Sequence, residues 1–146
     1  MTDTGERPLR PLPSINRDNR FWFDGAAEGK LLIQRCRECG TLRHPPGPIC
    51  AACHSFHWDT LEASGRGSIY SYVINHHPPF PAFDYPLPVA LIELEEGTRL
   101  VSNLTGFELD SIEVGELVEV EFVAYDDELT LPAFHPAPRP DQRGKK

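Results

Sequence analysis

Apolar and polar positions change rhythm along this chain. From Gly65 onward, apolar residues come in short runs that suit strands: GRGSIYSYVINHH, VALIELEEGTRLVSNLTG and VGELVEVEFVAYDDELTLPAF. The second run breaks at Glu96-Gly97 and the third at Asp126-Asp127, so each reads as two strands joined by a turn. In the fourth strand Val118, Val120, Phe122 and Ala124 fall on one face, and Glu119 and Glu121 on the other. That period of two marks a strand with one buried face. Five strands result, with a connector from Phe107 to Val114 after the third. Count and gap together predict a five-stranded Greek-key barrel of OB type over residues 63–135.

The N-terminal half follows other rules. Residues 1–15 are polar and proline-rich and read as a flexible arm. A short helix is expected within 16–30, about Arg17 to Glu28, with Asn16 or Asp18 as cap and Gly29 as stop. It carries Phe21-Trp22-Phe23. These rings either pack on the rest of the protein or, on a helix outside the main fold, pack on a partner chain. The run LLIQ then leads as a strand into residues 31–62, which hold all the cysteines. Residues 136–146, PAPRPDQRGKK, form a basic, proline-rich stretch that reads as a disordered tail. The fold class is therefore mainly β: a short helix, a cysteine ribbon and a barrel.

The cysteines form two C-x-x-C pairs, Cys36/Cys39 and Cys50/Cys53. Each pair presents two thiolates from one tight turn, and together they supply a tetrahedron for zinc. The segment between them, with Pro45, Pro46, Gly47 and Pro48, is too rich in helix breakers to be helical. The second pair continues into His54, and C-x-x-C-H alone is the attachment signature of a c-type haem. That reading needs an exported protein, yet MTDTGERPLRPLPS has no apolar signal segment. It also leaves Cys36 and Cys39 idle, and the single methionine, Met1, is no axial ligand. Two disulfides are the remaining alternative, disfavoured by the reducing, cytoplasmic compartment that this N-terminus suggests. Four thiolates fill a zinc site, so His44, His54 and His57 are expected on the surface and the metal is structural.

Charge narrows the function. The 146 residues carry 22 acidic and 14 basic side chains, for a net charge of −8. Between Gly65 and His135 the imbalance is sharper, with Arg66 and Arg99 against thirteen carboxylates. OB barrels often bind single-stranded nucleic acid, but phosphate binding needs a basic groove. This barrel repels a polyanion. No apolar run is long enough to span a membrane.

A catalytic set is hard to assemble. His76-His77 precede a loop, Pro78 to Pro88, that contains Asp84 and Tyr85. Adjacent strand residues point to opposite faces, so His76 and His77 do not share a site without a bulge. Phe80, Phe83, Tyr85 and Leu87 stand among five prolines there. A stiff backbone with exposed rings is good contact surface, because little entropy is lost on docking.

The order of these features resembles a known family. Phe21-Trp22 and Gly29-Lys30-Leu31 come first, then the four cysteines with Pro45-Pro46 between them. Gly65-Arg66-Gly67 leads into the barrel, Pro88 through Leu94 to Gly97 follows, and Val114-Gly115-Glu116-Leu117-Val118-Glu119-Val120 comes last. The ordered set, over roughly 18–135, is similar to the acyl-CoA-associated, rubredoxin-like zinc-ribbon/OB-fold proteins, long classed as a domain of unknown function. Within them it looks most like the small subunit of bacterial steroid side-chain aldolases. The resemblance implies a structural zinc on Cys36, Cys39, Cys50 and Cys53, and no catalytic residue in this chain. It implies a partner subunit of thiolase-like, lipid-transfer-protein-like fold that performs a retro-aldol cleavage of a β-hydroxyacyl-CoA. It implies a heteromer that handles acyl-CoA, and at this length a stand-alone subunit without a fused hydratase-like domain. Phe21, Trp22, Phe80, Phe83 and Tyr85 are the expected contacts with partner or substrate. Two rival readings are a free-standing acyl-CoA binder and a single-strand-binding zinc/OB protein. A third, an autonomous enzyme using His76 or His77, ranks below them.

Overall fold

In the computed structural model, residues 10–138 are described. Of the flexible arm expected over residues 1–15 and the tail expected over 136–146, residues 1–9 and 139–146 lie outside the described residues. One helix, α1 (Arg20–Ala27), precedes eight strands: β1 (Leu32–Cys36), β2 (Leu42–Arg43), β3 (Trp58–Glu62), β4 (Arg66–Asn75), β5 (Leu87–Leu94), β6 (Arg99–Leu104), β7 (Leu117–Ala124) and β8 (Thr130–Pro136). A 3-10 turn, Leu109–Ser111, sits in the connector after β6. Strands β2-β1-β3 form a small antiparallel sheet, and β4-β5-β6-β8-β7 close into a barrel. Only β6 and β8 run parallel among the barrel pairs. This is the five-stranded barrel expected from the alternation.

The helix is shorter than its sequence suggests. Asn16 and Asn19 bond each other reciprocally: Asn16 Oδ1 accepts from Asn19 N–H at 3.0 Å, and Asn19 Oδ1 accepts from Asn16 N–H at 2.8 Å. These bonds hold residues 16–19 as a turn, so the helix starts only at Arg20 and Asn19, rather than the expected Asn16 or Asp18, stands at its N-cap. Its end is as expected. Gly29 adopts φ +79°, and Lys30 N–H donates to Gly25 O while Gly29 N–H donates to Ala26 O. That pair of bonds is a Schellman stop. The helix is not outside the main fold, because it packs on β8, β1 and β7.

Ribbon and barrel share one core. Leu31, Ile33 and Ala63 from the ribbon side join Ile69, Ile92, Leu100, Val118 and Phe134 in a single buried cluster. Ile33, Ile92 and Phe134 are fully buried, and each contributes about 1.5–3 kcal/mol of apolar burial. Trp22 of the helix packs against the same cluster. In β7 the inward positions are Val118, Val120 and Phe122, as the period-two pattern requires, whereas Ala124 at the strand end is exposed.

The Gly65-Arg66-Gly67 lead-in is explained by close approach. Gly65 has φ +86°, and a Cβ there would lie 2.5 Å from Val120 Cγ1. At Gly67 it would lie 2.5 Å from Glu93 O. Arg66 pairs with Glu95 through Nε at 2.8 Å and Nη2 at 3.1 Å. Ser64 is held by Glu95 and Glu96, so the link between ribbon and barrel is pinned on both sides. Among the described residues no helix is long and apolar enough to cross a membrane.

Candidate metal centre and contact surfaces

Each C-x-x-C pair builds the same knuckle. In the first, Gly40 N–H donates to Cys36 O at 2.9 Å and Cys36 N–H donates to Thr41 O at 2.9 Å. In the second, His54 N–H donates to Cys50 O at 2.8 Å and Cys50 N–H donates to Ser55 O at 3.0 Å. Gly40 closes its turn at φ +79°, and His54 closes its own at φ +66°. The histidine of CAACH is therefore the backbone counterpart of Gly40. It is exposed, as is His57.

The two knuckles bring four sulfurs together. Cys36 Sγ is 3.5 Å from Cys53 Sγ, Cys39 Sγ is 3.6 Å from Cys50 Sγ, and all four lie within 4.8 Å of one another. Sulfurs about 2.3 Å from a tetrahedral zinc stand about 3.8 Å apart, so the four cysteines fit that ion. Cys36 and Cys50 are buried; Cys39 and Cys53 face outward. Local bonds tune the thiols unequally. The Thr41 hydroxyl, 3.1 Å away, and its N–H bring Cys39 down to about 6. Cys39 N–H lowers Cys36. The Ser55 N–H favours the Cys53 thiolate, yet hydrogen bonding to the neighbouring sulfurs and burial push that thiol up to about 12. Four thiolates this close repel one another, and a divalent cation is what lets all four ionise together. With every tetrahedral position filled, such a metal holds the fold and has no open site for chemistry.

The ribbon is braced from two directions. Arg35 and Asp59 face each other across β1 and β3 and pair at 2.9 and 3.3 Å, which holds the Asp59 carboxyl below its usual range. Gln34, fully buried, exchanges two hydrogen bonds with the Gly47 backbone. His44 departs from expectation. It is half-buried rather than on the surface, because the spacer folds back under Trp22, whose ring centroid lies 4.5 Å from the imidazole. Burial lowers it to about 4.

The expected contact residues fall in two places. Phe21 and Trp22 are half-buried on the helix, Phe21 with its ring 5.3 Å from Trp58. In the loop after β4, Phe80 is 57% exposed, while Phe83 and Tyr85 are half-buried. Tyr85 Oη accepts from Phe80 N–H at 3.2 Å and folds the loop on itself. His76 and His77 are exposed in the same loop. Arg10 crosses to this end of the barrel. Its guanidinium lies 4.6 Å from the Phe83 ring and 3.8 Å from the Tyr125 ring, and Nη1 donates to Asn103 Oδ1 at 3.4 Å. Sequence reasoning missed Gln34 and Arg10. Gln34 left one signal, a polar residue inside the apolar run LLIQRC.

A four-cysteine ribbon fused through a common core to an OB barrel defines a class of small β proteins. Residues 23–59 match the family model described as the rubredoxin-like zinc ribbon domain of ChsH2, and residues 61–123 match that of its C-terminal OB-fold domain. The solved structure titled "Ltp2-ChsH2(DUF35) aldolase" contains a chain 58% identical to this one. The match covers 87% of this chain and 100% of that one, with a TM-score of 0.83. This chain belongs to the DUF35 family, in its ChsH2-type branch. A probable enoyl-CoA hydratase alpha subunit of Thermomonospora curvata is 57% identical over 137 residues, covering 94% of this chain and 43% of its own length. The 3-oxo-4,17-pregnadiene-20-carboxyl-CoA hydratase alpha subunit of Mycobacterium tuberculosis is 36% identical over 115 residues, covering 79% of this chain and 37% of its own length. The chain thus spans about two fifths of the length of these curated relatives.

Proposed function

We infer that this protein is a non-catalytic accessory subunit of an acyl-CoA enzyme of steroid side-chain degradation. In its sharper form, the partner has a thiolase-like, lipid-transfer-protein-like fold and cleaves a β-hydroxyacyl-CoA by a retro-aldol reaction in the cytoplasm. The observation that carries the reading is the 58% identity to the whole of a chain in the aldolase structure. The chemistry of the chain supports it. Its metal ligands form a closed set, Tyr85 is spent on folding its loop, and His76 and His77 are left in solvent. Cys36, Cys39, Cys50 and Cys53 hold a structural zinc. Phe80 is the exposed loop ring that touches partner or acyl-CoA, and Phe83, Tyr85, Phe21 and Trp22 shape the surfaces beside it.

A second reading follows from the hydratase alpha subunits, which this chain matches over less than half of their length. Here the chain would serve a hydratase in place of an aldolase. A tagged pull-down from the native host, identified by mass spectrometry and assayed with β-hydroxyacyl-CoA and enoyl-CoA substrates, separates the two. A stoichiometric thiolase-like partner with C–C cleavage supports the first reading. Hydration alone supports the second, and a monomer without partner overturns both.

A further inference from the structure

The outer wall of β4, β5 and β6 carries an apolar surface. In β5, Ala90, Ile92 and Leu94 point inward, so Val89 and Leu91 point outward. Strand register then aligns Val73, Val89 and Asn103 in one row, and Ser71, Leu91 and Val101 in the next. Val73 is 56% and Val101 67% exposed. A bulge adds to this wall. Pairing shifts from Ile69–Ile92 to Ser71–Leu91, which leaves Tyr70 as the extra residue, 47% exposed. Bulges commonly re-aim a side chain in this way. The Arg99 guanidinium sits 3.7 Å from the Tyr70 ring centroid and pairs with Glu93 at 3.2 Å. A large exposed ring held in one orientation loses little entropy on docking and makes a good anchor.

Charge marks the same area. The two aligned rows contain no ionisable side chain, on a barrel segment with thirteen carboxylates. Charges stand at the border instead. Glu93, in β5, is paired with Arg99, and Glu95, just past β5, with Arg66. Glu116 accepts from Ile69 N–H through its backbone, with Glu113 nearby, and Arg10 donates to Asn103 at the other end. The far end of the wall runs from Asn75 and Leu87 into the Phe80 loop. An uncharged centre with a charged rim is the anatomy of a protein interface.

We propose that this wall, anchored by Tyr70, seats the catalytic partner subunit, and that the partner meets it with an apolar patch whose polar rim faces the Arg99–Glu93 and Arg66–Glu95 pairs. The proposal rests on the accessory-subunit reading. It is tested by co-expressing the full chain with the Ltp2 subunit of the similar aldolase, using wild type, Tyr70→Asp and, separately, Val101→Glu. Size-exclusion chromatography with light scattering reads the complex, while zinc content and thermal midpoint report the fold. Wild type is expected to co-elute with Ltp2. Each variant is expected to weaken the complex by at least about tenfold with zinc retained. Val101 is the more exposed position and keeps the test valid if Tyr70→Asp misfolds. Undiminished co-elution of the variants overturns the assignment of the wall and leaves the subunit reading standing. A wild type that never binds Ltp2 overturns both. A wild type that dimerises alone and becomes monomeric as Val101→Glu overturns the proposal by giving the wall to a second copy of this chain.

Discussion

Gln34 and Gly47 bond each other twice. Gln34 Nε2 donates to Gly47 O at 2.9 Å, and Gly47 N–H donates to Gln34 Oε1 at 2.9 Å. The side-chain amide thus acts as a missing strand partner for the proline-rich spacer, which has few N–H groups of its own to offer. Gln34→Leu keeps the volume and strands the Gly47 N–H. Arg43 Nη2 still reaches Gly47 O at 2.9 Å, so the loss is partial. The expected cost is about 2 kcal/mol, read as a lower midpoint in chemical denaturation with zinc present. An unchanged midpoint would mean that the Arg43 bond and the prolines hold the spacer without Gln34.

His54 tests whether the haem-like motif is only a turn. A non-glycine residue at φ +66° is strained by about 1 kcal/mol. His54→Gly should therefore stabilise the zinc-loaded ribbon by about that amount, with one zinc per chain still bound. A loss of zinc or of stability would point to a role for the imidazole itself. By contrast, Cys39→Ser should abolish stoichiometric zinc and expose the ribbon amides to hydrogen exchange.

His44 gives the fold a pH dependence. Burial holds the folded ring at about 4 against an ordinary 6.5. Between those values the unfolded chain takes up a proton that the folded chain does not. Stability is fully present above pH 6.5 and falls as pH drops toward 4, by about 2 kcal/mol after allowance for partial exposure. His44→Phe, which keeps a ring against Trp22, should flatten this slope. Zinc loss in acid affects both proteins alike, so the difference between their pH–stability curves is the quantity to measure. Parallel curves would contradict the assignment.

Arg10 clamps two loops from outside the barrel. Its contacts with Phe83 and Tyr125 are worth about 0.5–1 kcal/mol each at a part-exposed site. Arg10→Ala should speed amide exchange in residues 76–86 and 125–129 while leaving the barrel core protected. Unchanged exchange would show that Tyr85 and the prolines alone fix the loop.

The strands were legible because one face of each is buried, and burial writes a period of two into Val118, Val120 and Phe122. The knuckles were legible because two thiolates from one turn require the C-x-x-C spacing. Local backbone events were not. The reciprocal Asn16–Asn19 bonds delay the helix, yet Asn16 and Asp18 read as the caps and Asn19 carries no local mark that sets it apart. His54 looked like half of a haem site because its left-handed backbone has no sequence mark, whereas Gly40 at the matching position does. The bulge at Tyr70 leaves the composition of β4 unchanged, so the tyrosine's outward turn emerges only from the register. Arg10 reaches the barrel through contacts 73, 93 and 115 residues away in sequence, which no local pattern encodes.

The central claim is that this chain completes an enzyme whose chemistry lies in another subunit. The most direct measurement is turnover of a steroid side-chain β-hydroxyacyl-CoA by a purified thiolase-fold partner, with and without the zinc-loaded chain. The account predicts no turnover by this chain alone and a stoichiometric gain in the partner's C–C cleavage when it is added. Equal cleavage with and without it, or cleavage by the isolated chain, would contradict the account.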